Sequence, residues 1–152
     1  DNHVDVVWLT GGYPELHLKI LSSAERFKKG IYDFSKHKPV HGECGGYMVM
    51  GKNIIGSDKK NYSMAGIFNL TTSFEKRKLN LGYRVATVQD PFFGFKTRDI
   101  LLGHEFHYTS ILEKKDPSIV TVEDAYGNDL GLLGSRRDCA TGTFFHLIGS
   151  FE

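Results

Sequence analysis

The first third of the chain alternates between short apolar runs and one longer amphipathic segment. Residues 4–9 form an apolar run rich in β-branched residues and closed by a glycine pair, which predicts a buried strand ending in a sharp turn. In residues 16–36 apolar side chains recur every three or four positions, which predicts a helix with one apolar face. A capping-box pattern of Ser22 and Glu25 predicts a break in this helix near Ser22.

A second strand and a shorter helix follow. Residues 39–42 have the pattern of a short strand, and residues 43–46 turn into a short apolar helix that Gly51 closes. The order is therefore strand, helix, strand, helix. This order is typical of a parallel sheet with right-handed crossover connections.

The remaining two thirds of the chain have the patterns of strands rather than helices. Gly, Asp, Asn and Pro separate the strand-like segments, which are residues 67–71, 83–88, 100–108, 119–122 and 143–147. No convincing long helix follows Gly51. We therefore expect an α/β fold in which an open, mostly parallel sheet carries an antiparallel extension and regains its last strand late in the chain.

Composition and charge narrow the class of protein. The 152 residues suit one domain, and 19 Lys and Arg against 18 Asp and Glu leave a formal charge of +1, which argues against nucleic-acid binding. No apolar run approaches the ~18 residues of a membrane helix, and the first residues lack the pattern of a signal peptide. Cys44 and Cys139 are too few for a disulfide scaffold. We expect no membrane partner and a cytoplasmic location.

The strongest chemical signal is Cys44, which lies in a G-x-C-x-G sequence between the second strand and the second helix. This is the cysteine form of a nucleophile elbow, in which Gly42 and Gly46 permit a tight turn without a Cβ clash. The thiol then lies at a helix N-terminus, where the helix dipole favours the thiolate. The alternative is a structural cysteine beside a glycine turn, and the flanking strand and helix favour the elbow.

A second glycine turn ends the first strand and precedes Pro14. Because the carboxyl ends of parallel strands share one edge of a sheet, we expect this turn to lie beside Cys44. The backbone N–H of Gly12 or Tyr13, together with that of Gly45, is then a candidate donor to an oxyanion. Taken alone, the turn would be an ordinary glycine turn before a helix that starts with proline.

A thiol nucleophile usually needs a base, and His146 is the preferred candidate. It ends the apolar strand pattern of residues 142–146, so the last strand of the sheet would deliver it to the site. A satisfied core histidine is the alternative interpretation. His3, His17 and His37 have the pattern of surface residues.

Residues 103–108, with the sequence GHEFHY, form the densest polar cluster. On a strand, His104 faces one side, while Glu105 and His107 face the other. A metal site would need both histidines together and further ligands, so we expect no metal. The G-x-x-x-x-G-K run that ends at Lys52 lacks the Ser or Thr that binds magnesium, and it indicates no ATP-binding loop.

In combination these motifs resemble one family. In chain order they are GGYPE at residues 11–15, ECGG at 43–46, LGYR at 81–84, GHEFHY at 103–108 and FHL at 145–147. They look like the C-terminal glutaminase domain of the cobyrinic acid a,c-diamide synthase family, in the cobalamin-synthesis branch of the class I glutamine amidotransferases. The resemblance spans nearly the whole chain, and the GHEFHY run is its most specific part. It implies a flavodoxin-like sheet.

The resemblance also implies a mechanism with glutamine as substrate. Cys44 would attack the side-chain amide of glutamine, and His146 would protonate the departing ammonia and later activate water. Gly12, Tyr13 and Gly45 would form the oxyanion hole. Further residues would shape the glutamine site or its link to a partner domain, namely Gly11, Gly46, His104, Glu105, His107 and Tyr108.

By the same resemblance, a separate synthetase domain would use ATP and Mg²⁺ to activate the a and c carboxylates of cobyrinic or hydrogenobyrinic acid. Ammonia would then attack the acyl phosphates. The chain itself would hold no cofactor and no metal, and its partners would be glutamine and the synthetase domain.

The chain departs from the family pattern in the residues around the base. Many class I enzymes carry Glu two residues after the histidine, where this chain has Ile148. Glu43, Glu105 or a backbone carbonyl would then have to orient His146.

The chain also departs from the family in extent. By this resemblance we expect the ATP-binding synthetase domain, and the first strands that precede the GGYPE turn in the family, to be absent from residues 1–152. We therefore expect residues 1–152 to be a partial amidotransferase domain whose sheet has a bare edge beside residues 4–9 and 39–42.

Three other functions remain open from the sequence. The chain has the elements of the glutaminase domain of another amidotransferase such as cobyric acid synthase, or of a hydrolase similar to thiol peptidases. It also suits a non-catalytic fragment that binds a synthetase domain. The sequence does not decide whether the chain forms a homo-oligomer.

Overall fold

The computed structural model describes residues 3–151, which form three helices, thirteen strands and one 3₁₀ turn. The helices are α1 (Leu18–Ser23), α2 (Glu25–Ser35) and α3 (Gly45–Met50), and the 3₁₀ turn is Pro14–Leu16. The strands are β1 (Val7–Leu9), β2 (Val40–Glu43), β3 (Asn53–Ile55), β4 (Asn61–Ser63), β5 (Leu70–Ser73), β6 (Asn80–Val88), β7 (Ile100–His107), β8 (Ser110–Lys114), β9 (Val120–Asp124), β10 (Asp129–Leu133), β11 (Ser135–Arg137), β12 (Ala140–Thr143) and β13 (His146–Ser150). Within the described residues no helix follows Met50, and none is long and apolar enough to cross a membrane.

The sheet that contains the first two strands has the order β1-β2-β12-β11. Its first three strands are parallel, with Val7 beside Val40 and Val40 beside Ala140, and β11 is antiparallel to β12. The predicted parallel sheet is confirmed. Both edges of β2 are paired, so the bare edge expected beside residues 39–42 is wrong, and of the two strands β1 alone lies at an edge.

The first helical segment is broken as the sequence predicts, although by another mechanism. α1 and α2 are separated at Ala24, whose φ of −78° and ψ of 60° are not helical. The predicted capping box is wrong, because the Ser22 hydroxyl hydrogen-bonds Ser63 Oγ at 3.3 Å instead of capping α2. Lys28 Nζ stabilises the break by donating to the Ser22 carbonyl at 2.6 Å.

The predicted antiparallel extension contains most of the strands. A five-stranded antiparallel sheet has the order β10-β9-β6-β7-β13, and a smaller sheet of order β4-β3-β5-β8 includes the parallel pair β3 and β5. The buried apolar residues form two clusters. One includes Tyr47 and Phe68 beneath the parallel sheet, and the other includes Val88 and Val122 on the five-stranded sheet.

The chain passes from the parallel sheet to the five-stranded sheet immediately before His146. β12 ends at Thr143, whose hydroxyl accepts a hydrogen bond from the Phe145 N–H at 2.8 Å and so bends the chain. The strand expected over residues 142–146 is therefore wrong in extent, because His146 begins β13. Phe144 and Phe145 are both buried but in different clusters, which explains why the run has the pattern of one strand.

The free edge of β1 adjoins an apolar groove of about 510 Å³, which is bounded by β1 and all three helices. Trp8, Ile20 and Phe27 line this groove, and each is more than a third exposed. An edge strand beside exposed apolar side chains is a surface that promotes association with other chains.

Candidate active site

Cys44 occupies the sharp turn between β2 and α3. Its φ of 48° and ψ of −104° lie outside the regions that an L-residue ordinarily adopts. Glycines at positions 42 and 46 make the turn fit: a Cβ at Gly42 would meet Tyr47 N at 2.8 Å, and one at Gly46 would meet the Leu9 carbonyl carbon at 2.7 Å. Strained backbone between two obligatory glycines is the nucleophile-elbow geometry that the sequence predicts.

The two glycine turns touch through their backbones. A Cβ on Gly45 would lie 2.9 Å from Gly12 N and 2.8 Å from Gly12 O, so only glycine permits this approach. The Cys44 N–H donates to the Thr143 carbonyl at 2.8 Å, and the Gly45 N–H hydrogen-bonds the thiol sulfur. The turn and the elbow thus share one edge of the sheet, as expected. The oxyanion role of Gly12, Tyr13 and Gly45 stays a prediction.

The thiol of Cys44 is nearly closed off from solvent. The residue is 4% exposed, and Sγ donates a hydrogen bond to the Phe106 carbonyl at 3.6 Å. The cavity beside it measures about 20 Å³, which is room for one water molecule rather than a glutamine. Tyr13, His107 and Tyr108 are among its walls, so entry of a substrate requires side chains to move.

The charges around Cys44 disfavour the thiolate. Burial raises the pKa of the thiol to about 11, although a hydrogen bond from the Gly45 N–H opposes this rise. Three carboxylates raise the pKa further, those of Glu15, Glu43 and Glu105. The dipole of α3, a helix of six residues, does not offset them. In this conformation the thiol is protonated at neutral pH.

His146 packs against the first glycine turn. A Cβ on Gly11 would lie 2.5 Å from His146 Cε1, so the glycine makes room for the ring. The ring also stacks on His104, its partner across β13 and β7, with centroids 4.8 Å apart. Burial lowers the pKa of His146, and Glu43 opposes this by raising it. In the described part of the chain no hydrogen bond joins this ring to Cys44 Sγ, whose partner is the Phe106 carbonyl.

Glu105 and His107 face the opposite side of β7 from His104, as the strand alternation predicts. The Glu105 carboxylate accepts a hydrogen bond from Arg84 Nε at 2.9 Å, and both side chains are about nine-tenths buried. His107 stacks on Phe144 with ring centroids 4.0 Å apart, and burial lowers its pKa. It lines both the small cavity at the thiol and a larger one of about 370 Å³ that Arg84 and Glu105 also line.

The residues predicted to shape the glutamine site do not all lie beside the candidate nucleophile or base. Gly11, His107 and Tyr108 contact His146 or the cavity at the thiol, whereas Gly46 packs on the backbone of β1. Their substrate-binding roles stay predictions, together with those of His104 and Glu105.

Two buried polar features were missed by the sequence analysis. His41, on β2, is 3% exposed, and its Nδ1 lies 2.8 Å from Thr141 Oγ1; burial lowers its pKa to about 4. The available signal was the strand pattern of residues 39–42, because a strand in a parallel sheet is buried on both faces. The Arg84–Glu105 pair depends on the register of β6 and β7, which places Gly82 opposite Glu105. No group of three His, Cys, Asp or Glu side chains in residues 3–151 is arranged as metal ligands.

Comparison with known proteins connects this site to a family. The sequence model of the CobB/CobQ-like glutamine amidotransferase domain family matches residues 1–151. The chain belongs to this family. This amidotransferase domain is 48% identical over 148 residues to a hydrogenobyrinate a,c-diamide synthase of Rhodobacter capsulatus and 45% identical over 150 residues to one of Agrobacterium fabrum. Each match covers 97% of the chain and 34% of the relative, so the amidotransferase domain spans about a third of the length of these curated relatives.

Solved structures have the same fold as the amidotransferase domain. A crystal structure of a glutamine amidotransferase aligns over 94% of this chain and 70% of its own, with a TM-score of 0.61 and 12% identity. A protein of Thermoplasma acidophilum described as a GMP synthase subunit aligns over 95% and 64%, with a TM-score of 0.56 and 17% identity. At these identities the likeness concerns the fold alone, and it confirms the expected class I amidotransferase architecture.

Proposed function

We propose that the chain is the glutamine-hydrolysing domain of an a,c-diamide synthase, with Cys44 as nucleophile and His146 as base. One observation carries this proposal: Cys44 holds an outlying backbone conformation between strand and helix, while its neighbour Gly45 is in backbone contact with Gly12. That geometry places a thiol beside the backbone N–H groups of two turns, which is what attack on an amide carbonyl needs.

The proposed reaction uses each of these groups in turn. Cys44 gives its thiol proton to His146 as Sγ bonds to the side-chain amide carbon of glutamine. The N–H groups of Gly12 or Tyr13 and of Gly45 stabilise the oxyanion, each by about 3 kcal/mol. The C–N bond then breaks, and the His146 imidazolium protonates the nitrogen, which leaves as ammonia. Water deprotonated by His146 attacks the thioester, which releases glutamate and restores the thiol.

The conformation described precedes substrate binding in this scheme. The Sγ hydrogen bond to Phe106 must break and the walls formed by Tyr13 and Tyr108 must move outward, because the cavity at Cys44 holds one water molecule. Opening rehydrates the thiol and lowers its pKa, since burial is the largest cause of its shift. The outward movement that admits glutamine would thus also favour the thiolate.

For the whole enzyme we propose an ATP-dependent amidation. A synthetase domain would activate the a and c carboxylates of hydrogenobyrinic or cobyrinic acid as acyl phosphates with ATP and Mg²⁺. Ammonia released by the glutamine-hydrolysing domain would then displace the phosphate. The names of the relatives support hydrogenobyrinic acid as the acceptor. Because the chain spans about a third of their length, their remaining residues leave room for such a domain.

Release of glutamate from glutamine tests the assignment, measured with and without an added synthetase domain. Cys44→Ser is expected to abolish release. The matched change Cys139→Ser is expected to retain it, because the Cys139 carbonyl accepts from the Val40 N–H at the start of β2, whereas Cys44 follows the end of that strand. His146→Ala should lose glutamine-dependent amidation while free ammonia still supports the reaction.

Two results would overturn the roles. Glutamate release by Cys44→Ser at the wild-type rate would remove Cys44 as nucleophile. If His146→Ala lowers the ammonia-dependent reaction as much as the glutamine-dependent one, His146 is a structural residue.

A further inference from the structure

We infer that Glu43 is a positioning residue for His146. Its carboxylate ties the strand that carries His146 to the strand that carries Cys44, and it faces the imidazolium that forms during the reaction. The inference rests on the proposed glutaminase function.

The tie is a single hydrogen bond between the neighbours of the two reacting residues. Glu43 ends β2 and directly precedes Cys44, while Leu147 directly follows His146 on β13. Glu43 Oε1 accepts a hydrogen bond from the Leu147 N–H at 3.1 Å. The pairing of β13 with β7 shifts register between Leu147 and Gly149, so this carboxylate holds the strand where its own ladder is interrupted.

The titratable groups that shift the pKa of His146 come from two strands besides its own, β2 and β7. In decreasing order, burial lowers its pKa, Glu43 raises it, His104 lowers it and Glu105 raises it. Glu105 is unsuited to a positioning role, because its carboxylate is bound to Arg84 at 2.9 Å and lies on the opposite face of β7 from His104. His104 stacks on the His146 ring, so Glu43 is the carboxylate left to act on it.

The hydrogen bond is the larger part of this role. Glu43 raises the pKa of the Cys44 thiol as well as that of His146, so its charge changes the proton transfer between them little. Fixing the backbone beside His146 acts on geometry instead, and an error of ~1 Å in such a pair costs ~10²-fold in rate. A variant that keeps the hydrogen bond but not the charge therefore separates the two effects.

The experiment compares Glu43→Gln with Glu43→Ala in glutamate release and in the NMR titration of the His146 ring. The glutamine amide oxygen still accepts from the Leu147 N–H, so we expect kcat to fall less than ~10-fold. Both limbs of the pH profile should move to lower pH, because both pKa values lose a neighbouring negative charge. Glu43→Ala should lose ~10²-fold in kcat with little change in KM, since the pair is misplaced rather than the substrate.

Glu123→Gln is the matched control, because it makes the same chemical change at an exposed position on β9. It should leave the kinetics and the His146 titration unchanged. A folded Glu43→Ala protein with wild-type kcat would overturn the inference, because the hydrogen bond to the Leu147 N–H would then not position His146. The inference is also overturned if His146 has the wild-type pKa in both Glu43→Gln and Glu43→Ala. The NMR titration keeps this outcome separate from failure of the proposed function, because it does not need glutamine to be hydrolysed. If Glu43→Ala does not fold, Glu43→Gln still decides through the His146 titration.

Discussion

Gly11→Ala is expected to inactivate the site by a steric clash with the candidate base. The new Cβ would lie 2.5 Å from His146 Cε1 and 3.5 Å from both ring nitrogens. Because carbon atoms pack at about 3.5–4.0 Å, the ring or the turn must move by roughly 1 Å. A displacement of that size in a reacting pair costs ~10²-fold in kcat, or about 2.7 kcal/mol of transition-state stabilisation.

Glutamate release and the NMR signals of the His146 ring measure this effect. kcat should fall ~10²-fold, and the ring protons should shift because the stacking on His104 changes. Gly12→Ala makes the same change one residue later, where nothing lies within 4 Å of the new Cβ, so the His146 signals should stay in place. Gly149→Ala, also in open space and on the same strand as His146, should retain kcat within about twofold.

Wild-type kcat and unchanged His146 signals in a folded Gly11→Ala protein would refute this reasoning, because they would mean that the ring does not occupy this place. A loss of activity with unchanged His146 signals would contradict it as well. In that case the effect would come from the turn itself.

Three further outcomes follow from buried ionisable side chains. Arg84→Ala leaves Glu105 buried without its partner and should lower the free energy of unfolding by about 3–5 kcal/mol in urea, whereas Arg84→Met with Glu105→Leu should recover most of it. Burial lowers the pKa of His41 from 6.5 to about 4, so the neutral side chain contributes stability above about pH 6.5 that is lost as the pH falls towards about 4. The free energy of unfolding should change by about 3 kcal/mol over this range, and this pH dependence should disappear in His41→Asn. Alkylation of Cys44 should rise about tenfold per pH unit above neutrality because its pKa is about 11, with Cys139 reacting first; a flat rate for Cys44 would contradict the burial of its thiol.

The elbow was predictable because its requirements are local. Gly42 and Gly46 stand two residues from Cys44 since a Cβ at either would strike backbone within the same turn or the adjacent strand. The glycine turn before Pro14 is similar, because the parallel order of β1 and β2 alone brings its end to the same edge as Cys44.

The placement of His146 was not predictable in the same way. The bend at Thr143 is a side-chain hydrogen bond inside an apolar run, and two buried phenylalanines conceal it from a hydrophobic pattern. The capping box failed for a related reason, since Ser22 meets Ser63, which is 41 positions away in the sequence. Contacts of this kind depend on tertiary structure, which a local pattern does not contain.

The bend between β12 and β13 makes the distance between nucleophile and base depend on the angle between two sheets. Cys44 directly follows β2 of the parallel sheet, and His146 begins β13 of the five-stranded one. At a lever arm of roughly 10 Å, the spacing of packed sheets, a tilt of about 6° displaces the imidazole by about 1 Å. Such a tilt is enough to change the rate ~10²-fold. A substitution that tilts the five-stranded sheet would therefore change the rate of hydrolysis without touching either reacting side chain.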